Sequence, residues 1–389
     1  MIYPSFFRCM TAFLHGRTVE DLPLSPPDWG KLFHLARRQS LSGALFLATE
    51  HTPMPDSVRD RLRRDGFLTL SAYEDRRLAV GDIAAEFDKR QIAHLFFKGT
   101  VVGAYYPAPA MRSMGDIDMV IRADDRTNAD AAMTSLGFTC TSRSSEVWVY
   151  ERRELLIEMH TIVRRYDVAA QSPVPYDDLW TNARLQQGHT YHLSDEAEIV
   201  HAVHHLVAHF SAGGCGLRMV MDVAVLYRRF ADTDVWQAAT ARLEKDGLLL
   251  FTRRLLWFIA LALEIEVADA DQSPLEEPFA AQFAERLLGG TTFGKDERLL
   301  LAAKRRDARR TDGERSSSLK ARLLPPANVM RSRYEYAAKH PWLLPAAYVH
   351  RAFEGVTKNR AVHKRRRAYA EHAEEELQND IALFDALGL

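Results

Sequence analysis

Apolar positions in residues 1–92 recur at helical spacing. Pro26-Pro27-Asp28 opens a helix over 29–39, with Leu32, Leu35 and Ala36 on one stripe. Residues 41–50 read as a second apolar helix. A proline-started helix over 55–66 carries a basic outer face, and a long amphipathic helix covers 68–90. In that last helix Leu70, Tyr73, Leu78, Ile83, Ala84 and Phe87 are the candidate buried positions.

The period then changes. Residues 93–97 form a short apolar strand that stops at Lys98-Gly99-Thr100. One or two helical turns over 101–106 run into a loop forced by Pro107 and Pro109. Gly115-Asp116-Ile117-Asp118-Met119-Val120-Ile121 reads as the next strand, and 124–136 as a helix closed by Gly137. Residues 146–151 and 155–163 pattern as an antiparallel pair turned at Arg152-Arg153-Glu154. From about 176 the pattern is helical again. Ser194 caps a helix to about 210 with Asp195 and Glu196 in its first turn. Gly213-Gly214-Cys215-Gly216 breaks the run before helices over 217–230, 235–246 and 248–264. An acidic loop (271–279), a basic linker (304–322) and helices over 334–339, 345–354 and 358–387 follow. These elements predict a mostly helical α+β protein with a small mixed sheet. The divisions are an N-terminal helical segment (1–92), a sheet-bearing core (93–165) and a C-terminal helical domain (166–389).

Composition narrows the function classes. The chain has 389 residues, 47% of them hydrophobic, too many for a disordered protein. The net charge of -1 gives no overall attraction to polyanions. The basic stretches 304–322 and Lys364-Arg365-Arg366-Arg367 read as solvated faces, so nucleic acid is not the favoured partner. Cys9, Cys140 and Cys215 lack paired spacing, which argues for a reducing, cytoplasmic setting. Residues 1–16 lack a basic leader and read as a core helix. The most apolar windows are 248–263, which contains Arg253 and Arg254, and 342–349, which is too short, so no membrane span is expected.

The chemistry concentrates between residues 98 and 160. A strand turns Asp116 and Asp118 to one face and Ile117, Met119 and Ile121 to the other. Two carboxylates side by side repel, which is tolerable where a divalent cation sits between them. Alone, the pattern reads equally well as a wet acidic edge. Gly99 follows an apolar strand, where a small residue lets a phosphate approach the backbone. The later strand Leu156-Ile157-Glu158-Met159-His160 brings a third carboxylate, with Glu158 and His160 on one face. His201, His204, His205 and His209 suggest a metal site on one helix, but a core-facing histidine row is the preferred reading. Arg218 and Asp222 are spaced for an intrahelical salt bridge.

Strand, glycine turn, Asp-x-Asp strand and later acid resemble the DNA polymerase β-like nucleotidyltransferase superfamily over about residues 93–162. Phe97-Lys98-Gly99-Thr100, Arg112-Ser113-Met114-Gly115-Asp116-Ile117-Asp118 and Ile157-Glu158-Met159-His160 are similar to an uncharacterised bacterial group within it. The segments around His209, Leu217-Arg218, Met221-Asp222, Arg333-Tyr334 and Arg351 fit that group more loosely. The resemblance implies a polymerase β-like core that transfers NMP from an NTP, with ATP the expected one, to an unidentified acceptor, with Mg²⁺ or Mn²⁺ as cofactor. It implies Asp116, Asp118 and Glu158 as catalytic metal ligands, with Glu158 also near the acceptor hydroxyl. Lys98, Gly99 and Thr100 would face the phosphates, Gly115 would belong to the same motif, Arg112 would steady the triphosphate or the loop, and His209 would reach the nucleotide. The turn here is Gly-Thr where many members have Gly-Ser, and the gap from Gly99 to Asp116 is long, carrying Pro107 and Pro109. The alternative is a non-catalytic nucleotide-binding or regulatory protein that keeps the fold.

Overall fold

The computed structural model describes residues 2–168, 172–176, 179–289, 340–357 and 374–389, with Ala302, Ala327, Met330, Tyr334, Tyr336 and Ala337. The basic stretches 304–322 and 364–367, Arg333 and the start of the final helix lie outside the described residues.

Helices α1 (Ile2–Leu14), α2 (Pro26–Arg38) and α3 (Ser42–Ala48) precede α4 (Asp56–Lys89). α4 is one continuous helix where the sequence suggests two. Gly66 does not break it. Instead the glycine admits the ring of Phe46 from α3, since a Cβ there would stand 2.5 Å from Phe46 Cδ1. The reading of its buried face holds only at one end. Ile83 and Phe87 are buried, whereas Leu70 and Leu78 are exposed. The reason is that α4 spans two cores: Val58 and Leu62 enter one, Ala79, Ile83 and Phe87 the other, and the middle faces neither.

Strands β1 (His94–Phe96), β2 (Ile117–Ile121), β3 (Thr139–Arg143), β4 (Val147–Arg152) and β5 (Leu155–His160) form most of a seven-stranded sheet. α5 (Gly99–Val102) lies between β1 and β2, and α6 (Arg126–Ser135) between β2 and β3. β6 (Arg164–Asp167) and β7 (Ser172–Pro175) make a separate antiparallel pair. The main sheet also takes strands from beyond residue 165, the expected end of the sheet-bearing core. β8 (Ala183–Gln187) and β9 (Thr190–Leu193) return to the main sheet, whose order is β3-β4-β5-β2-β1-β9-β8. β9 runs parallel to β1 and antiparallel to β8. These strands escape the sequence reading because exposed Leu185 and the polar residues around it carry no clean alternation.

The remaining helices are α7 (Asp195–Ser211), α8 (Leu217–Phe230), α9 (Asp234–Lys245), α10 (Leu249–Leu263), α11 (Glu277–Gly289), α12 (Leu344–Thr357) and α13 (Glu374–Leu387). Ser194 caps α7 as expected, its Oγ accepting from Ala197 N. The N-terminal helices do not stand apart from this set. Phe6, Trp29 and Leu45 share one core with Phe210, Phe251 and Phe283, and buried Gln39 accepts from Leu217 N and donates to Leu287 O. That core covers one face of the sheet through Leu95, Phe97 and Val120. Ile117, Met119 and Ile121 fill a second core on the opposite face with α4 and α6, as the strand parity requires. Asp118 therefore emerges on the face turned toward the large helical body. Among the described residues no helix is long and apolar enough to cross a membrane.

Candidate functional site

β2 and β5 are parallel neighbours, and their register sets Asp118 opposite Glu158 and Val120 opposite His160. The two strands thus bring their polar side chains to one point. His160 Nε2 lies 3.1 Å from Asp118 Oδ1 and 3.5 Å from Glu158 Oε2. Lys98 leaves β1 with φ 55° and donates from Nζ to Asp118 Oδ1 at 2.6 Å. That left-handed φ is unusual for a residue with a Cβ, and such outliers concentrate at functional sites. Burial pushes the Asp118 carboxyl up, but the Lys98 ammonium and the His160 hydrogen bond outweigh it and hold the group at about 2. Burial lowers His160 in turn, yet its hydrogen bonds to Asp118 and Glu158 raise it overall.

Asp116 stands just before β2 on the wall of the same cavity. Burial, then the Asp118 charge, raises its carboxyl above the usual range. Among the described residues one cluster places three ligand atoms within 4.8 Å of one another: Asp118, Glu158 and His160. His160, set by strand parity on the same face as Glu158, takes the third position there, and Asp116 is not in the cluster. The four histidines of α7 form no such cluster.

The cavity holds about 230 Å³. Lys98, Gly99, Arg112, Asp116, Asp118, Glu158 and His209 all line it, so seven of the expected site residues converge. Thr100 and Gly115 do not line it. Thr100 Oγ1 lies 3.7 Å from Met114 Sδ, and the Gly115 carbonyl accepts from Arg76. Gly99 is required by a close approach, since a Cβ there would collide with Arg112 Nη1.

Arg112 is fixed by a carboxylate on α8. Its Nε and Nη2 donate to the two oxygens of Asp222 at 3.0 and 2.6 Å, and Tyr106 Oη donates to the same carboxylate at 2.7 Å. The expected Arg218–Asp222 pair gives way to this arrangement, because the carboxylate is already bound by a planar bidentate fork. Arg218 Nη1 instead donates to Ser113 O at 3.2 Å. Arg112 Nη1 is left buried with no hydrogen-bond partner, beside Gly99.

Sequence reasoning missed one group outright. Glu198 looks like an ordinary acid in the first turn of a helix, yet it is buried and lines the cavity. The available signal was its spacing: Glu198, His201, His205 and His209 fall on one stripe of α7. The ring contacts of His201 with His205 and of His205 with His209 run along that stripe.

The site elements from α2 to α10 fall within one family match, to "Uncharacterised nucleotidyltransferase", over residues 25–264. No curated protein sequence matches the chain. Two solved structures are similar to it. The solution structure of antibiotic-resistance factor ANT(2'')-Ia shares 13% identity at a TM-score of 0.34, over 44% of this chain and 93% of that one. The crystal structure of ANT(2")-Ia in complex with adenylyl-2"-tobramycin shares 14% identity at a TM-score of 0.33, over 44% of this chain and 98% of that one. With 240 of its 389 residues (25–264) inside the family match, the chain belongs to the uncharacterised nucleotidyltransferase family.

Proposed function

We propose that the chain is a metal-dependent transferase with a polymerase β-like core, moving a nucleoside monophosphate from an NTP, ATP in the first instance, to an acceptor hydroxyl. The observation that carries this reading is the β2–β5 register, which sets Asp118 opposite Glu158 at a cavity shared with Lys98 and Gly99. Two carboxylates and an imidazole with ligand atoms within 4.8 Å suit a divalent cation such as Mg²⁺ or Mn²⁺. Asp118 and Glu158 would hold it, with Asp116 and His160 alongside. Bound there, it would neutralise charge on the phosphate oxygens.

The chain's own side chains supply the rest. Lys98, Arg218 and the unpartnered Nη1 of Arg112 attract the triphosphate, and Gly99 keeps that wall open. Glu158 is the more accessible carboxylate, with 32% of its side chain exposed against 5% for Asp118. It takes the acceptor hydroxyl's proton as that oxygen bonds to the α-phosphorus. The bond from the α-phosphorus to the bridging oxygen breaks, and pyrophosphate leaves with the electron pair. The acceptor class is open between a small molecule, a peptide or protein side chain, and an RNA end.

A second reading, nucleotide binding without transfer, draws on the Lys98–Asp118 contact, in which an internal cation already balances the buried carboxylate. Labelled NTPs with Mg²⁺ or Mn²⁺ and a lysate separate the two. Transfer of label by the wild type, reduced at least about a hundredfold in Asp116→Ala/Asp118→Ala, is the expected result. Equal label in both, or none in either, overturns the transferase reading for the acceptors in that lysate.

A further inference from the structure

Transfer chemistry leaves part of the cavity wall unused. Glu198 is 3% exposed, and neither carboxyl oxygen has a hydrogen-bond partner. The same is true of both ring nitrogens of His201, one turn along the stripe. Buried polar groups are nearly always partnered, and an orphaned carboxyl opposes folding. One that lines a cavity, rather than sitting in packed core, points to a partner that arrives with a ligand.

The character of that ligand follows from how charge is distributed. Lys98 and Arg218 bear on His205 and His209, farther along α7. Glu198 instead feels burial first and then Asp195, which push it up to about 8. Burial first, and then the Lys98 charge, drive His201 down to about 3. Near neutral pH this stretch of wall is therefore polar but largely uncharged, and Val102 and Met219 add apolar surface to the same cavity. A ligand with a charged phosphate end and an uncharged, flat, hydrogen-bonding end fits both parts. We infer that Glu198, with His201 beside it, is the residue that reads the hydrogen-bonding edge of the NTP's base, an assignment that rests on the nucleotidyl-transfer reading above.

The test is calorimetric binding, with Mg²⁺, of the α,β-methylene analogues of ATP, GTP, CTP and UTP and of inorganic tripolyphosphate. Wild type is compared with Glu198→Leu and Glu198→Ala. The expected result is that the best-bound analogue weakens about tenfold or more in both variants while tripolyphosphate changes less than about twofold. The unfolding temperature of Glu198→Leu should not fall below wild type, because an apolar side chain replaces an orphaned carboxyl. Unchanged analogue binding, or equal loss for analogue and tripolyphosphate, overturns the assignment and leaves the transferase reading standing. A wild-type chain that binds none of the probes overturns both.

Discussion

At the scale of single residues, ionisation at this site follows placement. Glu198 makes a prediction that needs no substrate. Its carboxyl is raised from 4.5 to about 8 in the folded chain, so between those values the folded protein keeps a proton the unfolded chain has lost. Stability then falls as pH rises through that window, by at most about 1.4 kcal/mol per pH unit. Glu198→Gln removes this dependence, and its stability relative to wild type should climb between pH 5 and pH 8 in urea unfolding. A difference that stays constant with pH would rule the effect out. Residue by residue, the parity of Asp118 with its apolar neighbours and the Glu158–His160 pairing were readable, because strand alternation is a local property. The partners of Arg112 and Glu198 were not. Asp222 lies 110 residues from Arg112, and the i,i+4 rule that assigned it to Arg218 considers one helix only. For Glu198 the helix-start preference supplied a sufficient local explanation and hid the burial.

At the scale of elements, α4 shows where punctuation rules fail. Glycine in a helix interior costs about 1 kcal/mol against alanine, so propensity alone predicts that Gly66→Ala stabilises. The Phe46 ring reverses the sign, because the new methyl would meet Cδ1 at 2.5 Å and Cγ at 2.8 Å. Gly66→Ala should destabilise by about 1–3 kcal/mol in denaturant unfolding, and a neutral or stabilising result would show that the α3–α4 crossing yields easily. The same element explains the misplaced Leu70 and Leu78. A hydrophobic stripe drawn at a fixed period assumes one partner along the whole helix, while α4 changes cores partway. β8 and β9 were lost for a different reason: pairing of β9 with β1, and of β8 with β9, recruits them to the sheet, and their side chains advertise little of it.

At the scale of the whole molecule, the proposed site sits where the sheet meets the large helical core, so ligand binding should be felt throughout the fold. If the NTP and a divalent cation bind together, an NTP at about 100 times its Kd with Mg²⁺ should stabilise the chain by about 2.7 kcal/mol, seen as a rise in unfolding temperature. Chelation with EDTA should abolish most of that rise. A shift that survives EDTA unchanged would separate nucleotide binding from the cation. The mostly helical α+β class was legible from periodicity, but chain order conceals how α1–α3 pack with α8, α10 and α11 in one core.

The parallel pairing of β1 with β9 bears on the order in which this protein can be made. His94 meets Thr190 across 96 residues, and Arg112 waits for Asp222 across 110. During synthesis Lys98, Asp116, Asp118 and Glu158 are all in the chain before β9, α7 or α8 exist. A nascent chain of that length has its acids and its lysine but no partner for Arg112 and no outer neighbour for β1. Contacts of such long sequence separation form slowly. An excised fragment ending at residue 165 would be in the same position permanently: it would carry the chemical groups of the site without the second half of the frame that holds them.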